Sequence, residues 1–106
     1  MAIQISSELL DGCVLAILED EDYYGYTLTQ RVQQAVTVSE STMYPVLRRL
    51  KKNGLLTTYD EPFQGRNRRY YQITQEGRTH LATVRDEWQE FREGIESMLG
   101  DEKSDE

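Results

Sequence analysis

At 106 residues, 38% of them hydrophobic and 29% charged, the chain supports one modest core and no second domain. No apolar run approaches the roughly 20 residues of a membrane span, the first eight residues lack the pattern of a secretory signal, and a single cysteine, Cys13, excludes an internal disulfide, so a reducing cytoplasm is expected. The net charge of −7 argues against a uniformly basic nucleic-acid binder, yet nine of the twelve Lys and Arg fall between residues 41 and 85 against three acids, which leaves room for a local basic face.

Ser7 to Glu19 carries Leu9, Leu10, Cys13, Val14, Ile17 and Leu18 at helical spacing, the apolar stripe of a first helix opened by a serine. Cys13 on that stripe reads as a small core residue and not as a redox sensor. Gly12 costs the helix roughly 1 kcal/mol, which fits either close packing or a tolerated weakness. The acidic turn at residues 19–22 precedes Tyr23-Tyr24-Gly25-Tyr26, and Leu28, Val32 and Ala35 then mark a second helix.

Ser39-Glu40-Ser41-Thr42 is suited to cap a third helix running to about Asn53, where Asn53-Gly54 supplies a left-handed stop. Its two faces call for different partners. Met43, Val46, Leu47 and Leu50 belong to the core, whereas Thr42, Pro45, Arg49 and Lys52, with Ser41 and Arg48 beside them, form an outer stripe that begins polar and ends basic. A recognition helix in a major groove needs this order: short side chains near base edges, then cations reaching phosphates. Pro45 lies close enough to the helix start to lose at most one backbone hydrogen bond.

Leu55 to Tyr59 reads as a strand, residues 60–67 as a turn-rich loop, and Arg68 to Ile73 as a return strand that alternates Arg69, Tyr71 and Ile73 with Arg68, Tyr70 and Gln72. Arg66, Arg68 and Arg69 would thus sit at the tip and return of a basic hairpin, near a phosphate or minor groove. The fold class that follows is mainly α with a β component (α+β): a winged helix-turn-helix over residues 1–73 with a two-stranded wing. From Thr74 a long helix runs to about Leu99, some 37 Å. Leu81, Val84, Trp88, Phe91, Ile95 and Met98 repeat along it at three and four, the seam of a dimerisation helix. The competing reading folds this helix back onto its own core. Residues 100–106 form an acidic tail expected to be disordered.

Tyr24-Gly25-Tyr26, Ser41-Thr42-Met43-Tyr44-Pro45-Val46-Leu47-Arg48-Arg49-Leu50 with Asn53-Gly54-Leu55, and Arg68-Arg69-Tyr70-Tyr71-Gln72-Ile73-Thr74-Gln75-Glu76-Gly77 carry a resemblance over nearly the whole chain. The sequence resembles the PadR family. The resemblance implies a bacterial or archaeal homodimeric regulator, usually a repressor, that binds a palindromic double-stranded operator and often releases it on sensing a small molecule. It implies DNA contacts from Ser39, Ser41, Thr42, Tyr44 and Arg48 or Arg49, with Arg66, Arg68 and Arg69 from the wing; Lys52 joins them from the face reading. Lys51 stands where many relatives carry an acid, and Ser41 where glycine is common. Tyr71 reads as core, while Tyr44 is open between core and contact. Some short PadR-like regulators hold planar drugs between aromatic side chains at the dimer interface, which makes Trp88, Phe91, Leu10 and Val14 candidates for an effector site; the alternative is that Trp88 only anchors the seam.

Nothing points to an enzyme or to a cofactor. His80 is the lone histidine, with no metal-ligand spacing, no triad and no phosphate-binding glycine loop. The remaining alternative is a winged-helix protein-interaction module whose third helix docks on a protein.

Overall fold

Three of the four helices begin on a side-chain hydroxyl, and these caps divide the chain. The computed structural model describes residues 3–100; residues 101–106 of the expected tail lie outside the described residues. Ser6 Oγ accepts from the Leu9 amide at the start of α1 (Ser7–Ile17), Ser39 Oγ from Thr42 at α3 (Glu40–Lys52), and Thr74 Oγ1 from Gly77 at α4 (Gln75–Leu99). Each bond satisfies an amide that the first helical turn leaves without an acceptor. Between α1 and α3 lie β1 (Tyr23–Tyr24) and α2 (Gly25–Ala35); between α3 and α4 lie β2 (Leu56–Phe63) and β3 (Arg66–Ile73).

The stop of α3 is built as its sequence implies. Gly54 has φ 78°, its amide donates to the Lys51 carbonyl at 3.0 Å, and the Leu55 amide donates to the Leu50 carbonyl at 2.9 Å. This reversal turns the chain directly into β2.

The sheet has three antiparallel strands in the order β1-β3-β2, where a two-stranded wing was expected. Tyr23 and Tyr24 pair with Tyr71 and Tyr70. Two residues show no readable alternation, and that is why β1 escapes notice in the sequence. The hairpin is also longer than expected. Gln64 and Gly65, with φ of 51° and 80°, make a two-residue turn, and pairing continues to Phe63 opposite Arg66. Pro62 is tolerated because β2 is an edge strand.

The core joins Leu10, Val14 and Leu15 of α1, with Leu18 at its cap, to Leu28 and Val32 of α2, the inner face of α3, and Leu56, Ile73 and Leu81. The stripe of α1 is rotated from its expected centre. Leu15 is buried, Leu9 is only half-buried, and Cys13, expected in the core, is exposed. The cause is the way α4 crosses α1. A Cβ placed on Gly12 would lie 2.4 Å from Val84 Cγ1, so glycine is what lets the two helices meet.

That crossing also corrects the seam. Leu81 and Val84, expected between subunits, are buried within their own chain. Beyond them the helix leaves the body, and the molecule measures 64 Å along its longest axis against 30 and 21 Å across. Trp88, Phe91, Met98 and Leu99 are exposed and Ile95 is half-buried. No described helix is long and apolar enough to cross a membrane.

Candidate nucleic-acid interface

The exposed side of α3 starts with hydroxyls. Ser39 Oγ lies 2.9 Å from Ser41 Oγ and 3.1 Å from Thr42 Oγ1, a knot of small polar groups at the helix start. Tyr44, 61% exposed, stands next, which places its ring outside the core. Arg48, Lys51 and Lys52 follow on the surface of the last turns, where the negative end of the helix dipole favours them. Met43, Val46, Leu47 and Leu50 are buried on the other side, so the helix is polarised around its axis.

Arg49 departs from the expected outer stripe. Its guanidinium donates to the carboxylate of Asp11 on α1, and the side chain is half-buried. Position 49 follows Val46 by three residues, on the flank of the buried stripe, and from there a long side chain reaches across to α1. Asp11 lost water in the exchange: burial raises its carboxyl above the ordinary aspartate range even though Arg49 opposes the shift.

The three wing arginines, expected at the tip and return strand of the hairpin, all lie in β3, which takes in Arg66 as well, and they meet three different fates. Arg66 is exposed beside the turn. Arg68 is half-buried, with its guanidinium carbon 3.7 Å from the Phe63 ring centre and 4.3 Å from that of Tyr24. Arg69 on the opposite face approaches Asp60 at 3.5 Å. Strand alternation explains the split, since Arg68 shares its face with the stacked Tyr59 and Tyr70 rings while Arg69 shares one with Tyr71. Tyr71 packs against the core, as its place beside Ile73 implies, and burial raises its hydroxyl above the usual tyrosine range. Arg69, Tyr71, Tyr44, Glu40 and Tyr26 line one cleft of about 280 Å³ between α2, α3 and the sheet.

Charge pairing sorts the cations. Arg85 is held by both carboxylate oxygens of Glu19 at 3.0 and 3.1 Å, and Arg92 pairs with Glu96. Among the described residues, Arg48, Lys51, Lys52 and Arg66 make no ion pair within the chain. With Arg68, which also makes none, five cations without an ion pair lie on α3 and the wing; among the described residues Arg31 on α2 and Arg78 on α4 make none either. Arg31 on α2 donates to the Tyr23 hydroxyl at 2.6 Å on an exposed surface.

A second feature lies between α1 and α4. An apolar groove of about 340 Å³ is walled by Leu9, Gly12, Cys13, Ala16, Leu81, Val84 and Trp88. Leu10 and Val14, expected to line it, instead point into the core at 2% and 0% exposure, because adjacent positions on a helix face different ways. Phe91 borders a neighbouring groove with Trp88 and Leu9, its ring centre 6.3 Å from that of Trp88. Partial burial raises the Cys13 thiol above its usual range, unlike the depressed value of a reactive cysteine. No group of His, Cys, Asp or Glu among the described residues could hold a metal ion.

Comparison with known proteins agrees with this architecture. A protein of solved structure from Streptococcus mutans UA159 superposes with a TM-score of 0.86 at 34% identity, over 100% of both chains. A PadR family transcription regulator from Clostridium difficile R20291 matches with a TM-score of 0.77 and 31% identity over 86% of this chain and 98% of its own. Transcriptional regulator Rv3488 of Mycobacterium tuberculosis is 39% identical over 67 residues, 62% of this chain and 63% of that protein. The profile of the transcriptional regulator PadR-like family matches residues 14–83, from α1 into α4. The chain belongs to the PadR-like family of transcriptional regulators, proteins that are not enzymes.

Proposed function

We propose that this chain is a DNA-binding repressor that holds a palindromic operator as a homodimer and yields it when a small planar aromatic effector binds. One observation carries the reading: the helix that begins at the hydroxyl knot of Ser39, Ser41 and Thr42 goes on to expose Arg48, Lys51 and Lys52, none of them in an ion pair among the described residues. Those small groups and Tyr44 read base edges in the major groove, and Arg48 and Lys52 hold phosphates beside it. Arg66, with Arg68 and Arg69 behind it, reaches the flanking backbone. Binding of this kind releases counterions and weakens steeply with salt.

Trp88, Phe91, Ile95 and Met98 on the projecting half of α4 meet the same surface of a second copy in an isologous contact. Two α3 helices then enter successive major grooves about 34 Å apart. The groove beside Trp88 takes the effector, which shifts binding only by the difference in its affinity for the two dimer shapes.

The test is retention of genomic fragments by the purified protein, followed by fluorescence anisotropy on the recovered site. Arg48→Ala with Lys52→Ala should abolish binding while light scattering still reports a dimer. Unchanged affinity would place the interface elsewhere and favour a protein-docking role.

A further inference from the structure

Resting on that reading, we propose that Asp11 is a positioning residue that holds Arg49 out of the DNA contact, so that α3 presents Arg48 and Lys52 to phosphate while the arginine between them stays neutralised.

The geometry is specific. Asp11–Arg49 is the one side-chain hydrogen bond joining α1 to α3 among the described residues, and it spans 38 positions of sequence. The Asp11 side chain is 14% exposed and that of Arg49 40%, so the carboxylate is fixed in the body while the guanidinium keeps a path to solvent. Arg48 and Lys52, one position before it and three after it, are exposed and make no ion pair. A carboxylate and a phosphate compete for the same planar fork of donors. An arginine already neutralised by a protein carboxylate adds no net charge for DNA to exploit, so its engagement releases no extra counterion.

The experiment compares the slope of log affinity against log salt for the full-length protein on its recovered site, using the wild type, Arg48→Ala, Arg49→Ala, Asp11→Asn and Asp11→Glu. Arg48→Ala should lower the slope by about 0.9, one phosphate contact. Arg49→Ala should leave it unchanged. Asp11→Asn should steepen it by about 0.9, roughly a threefold to fourfold greater loss of affinity between 50 and 200 mM salt, and Asp11→Glu should return it toward the wild type. A purely structural tie predicts a lower melting temperature for Asp11→Asn at an unaltered slope, and that result overturns the proposal. So does an Arg49→Ala slope that falls as far as that of Arg48→Ala, a result readable even if Asp11→Asn does not fold. An unchanged slope for Arg48→Ala sinks the DNA-binding reading itself, and the role of Asp11 with it.

Discussion

The helices α3 and α4 are both amphipathic, yet they divide their surfaces along different directions. α3 does so around its axis: Met43, Val46, Leu47 and Leu50 are buried, while Ser41, Thr42, Arg48 and Lys52 face outward over the same turns. α4 does so along its length. Gly77, Leu81 and Val84 are buried in its first half, whereas Trp88, Phe91 and Met98 continue the same spacing into open solvent at 41%, 57% and 73% exposure. In each case the surface left over describes its partner. A hydroxyl-to-cation stripe is matched by a polyanion, and an apolar stripe flanked by Glu87, Glu90 and Glu93 by another apolar stripe.

The sharpest way to break the contrast is to remove the outer half of α4. Trp88→Ala with Phe91→Ala should abolish the proposed dimer, because truncating aromatic anchors that such an interface would bury costs about 2 kcal/mol or more each. Operator affinity should collapse with it although α3 is untouched, and light scattering with anisotropy on one sample reads both. Leu81→Ala probes the inner half. It should cost folding roughly 2–5 kcal/mol in urea denaturation, whereas Met98→Ala should cost the isolated fold almost nothing. Equal effects from the two would erase the boundary at Val84. Gly12→Ala forces a methyl group against Val84 and should destabilise by about 1–3 kcal/mol; a neutral result would mean that the α1–α4 crossing yields easily.

The smallest effect concerns the tie between the helix-turn-helix body and the root of α4. The hydrogen bond from Arg85 holds the Glu19 carboxyl below the ordinary glutamate range. A depressed acid contributes stability that is full above its unfolded value and is lost as the pH falls through its folded one. Melting temperatures of the wild type and Glu19→Gln should therefore differ modestly at neutral pH and converge below about pH 4. Because the pair sits at the surface, added salt should narrow the gap.

What could be read from the sequence was whatever local chemistry decides. Ser39 and Thr74 are caps because of their hydroxyls, and Gly54 is a stop because it alone among its neighbours adopts a positive φ without strain. The polarity of α3 follows from spacing alone. What escaped depends on distant partners. Arg49 looks like any member of the outer stripe until α1 brings Asp11 to it, and Leu81 fits an inter-subunit seam as well as it fits an intramolecular one. Spacing tells that a helix face is covered and not whose atoms cover it. The same limit hid the split of Arg66, Arg68 and Arg69, since the length of the hairpin rests on a two-residue turn at Gln64 and Gly65 inside a run rich in turn formers.

The central claim is that two α3 helices, set apart by paired α4 helices, grip one face of a duplex. Hydroxyl-radical footprinting of the recovered operator by the wild-type protein tests it most directly. The account predicts two protected patches centred about one helical turn apart, both lost in Arg48→Ala with Lys52→Ala. A single patch, or protection that survives the double substitution, would contradict it.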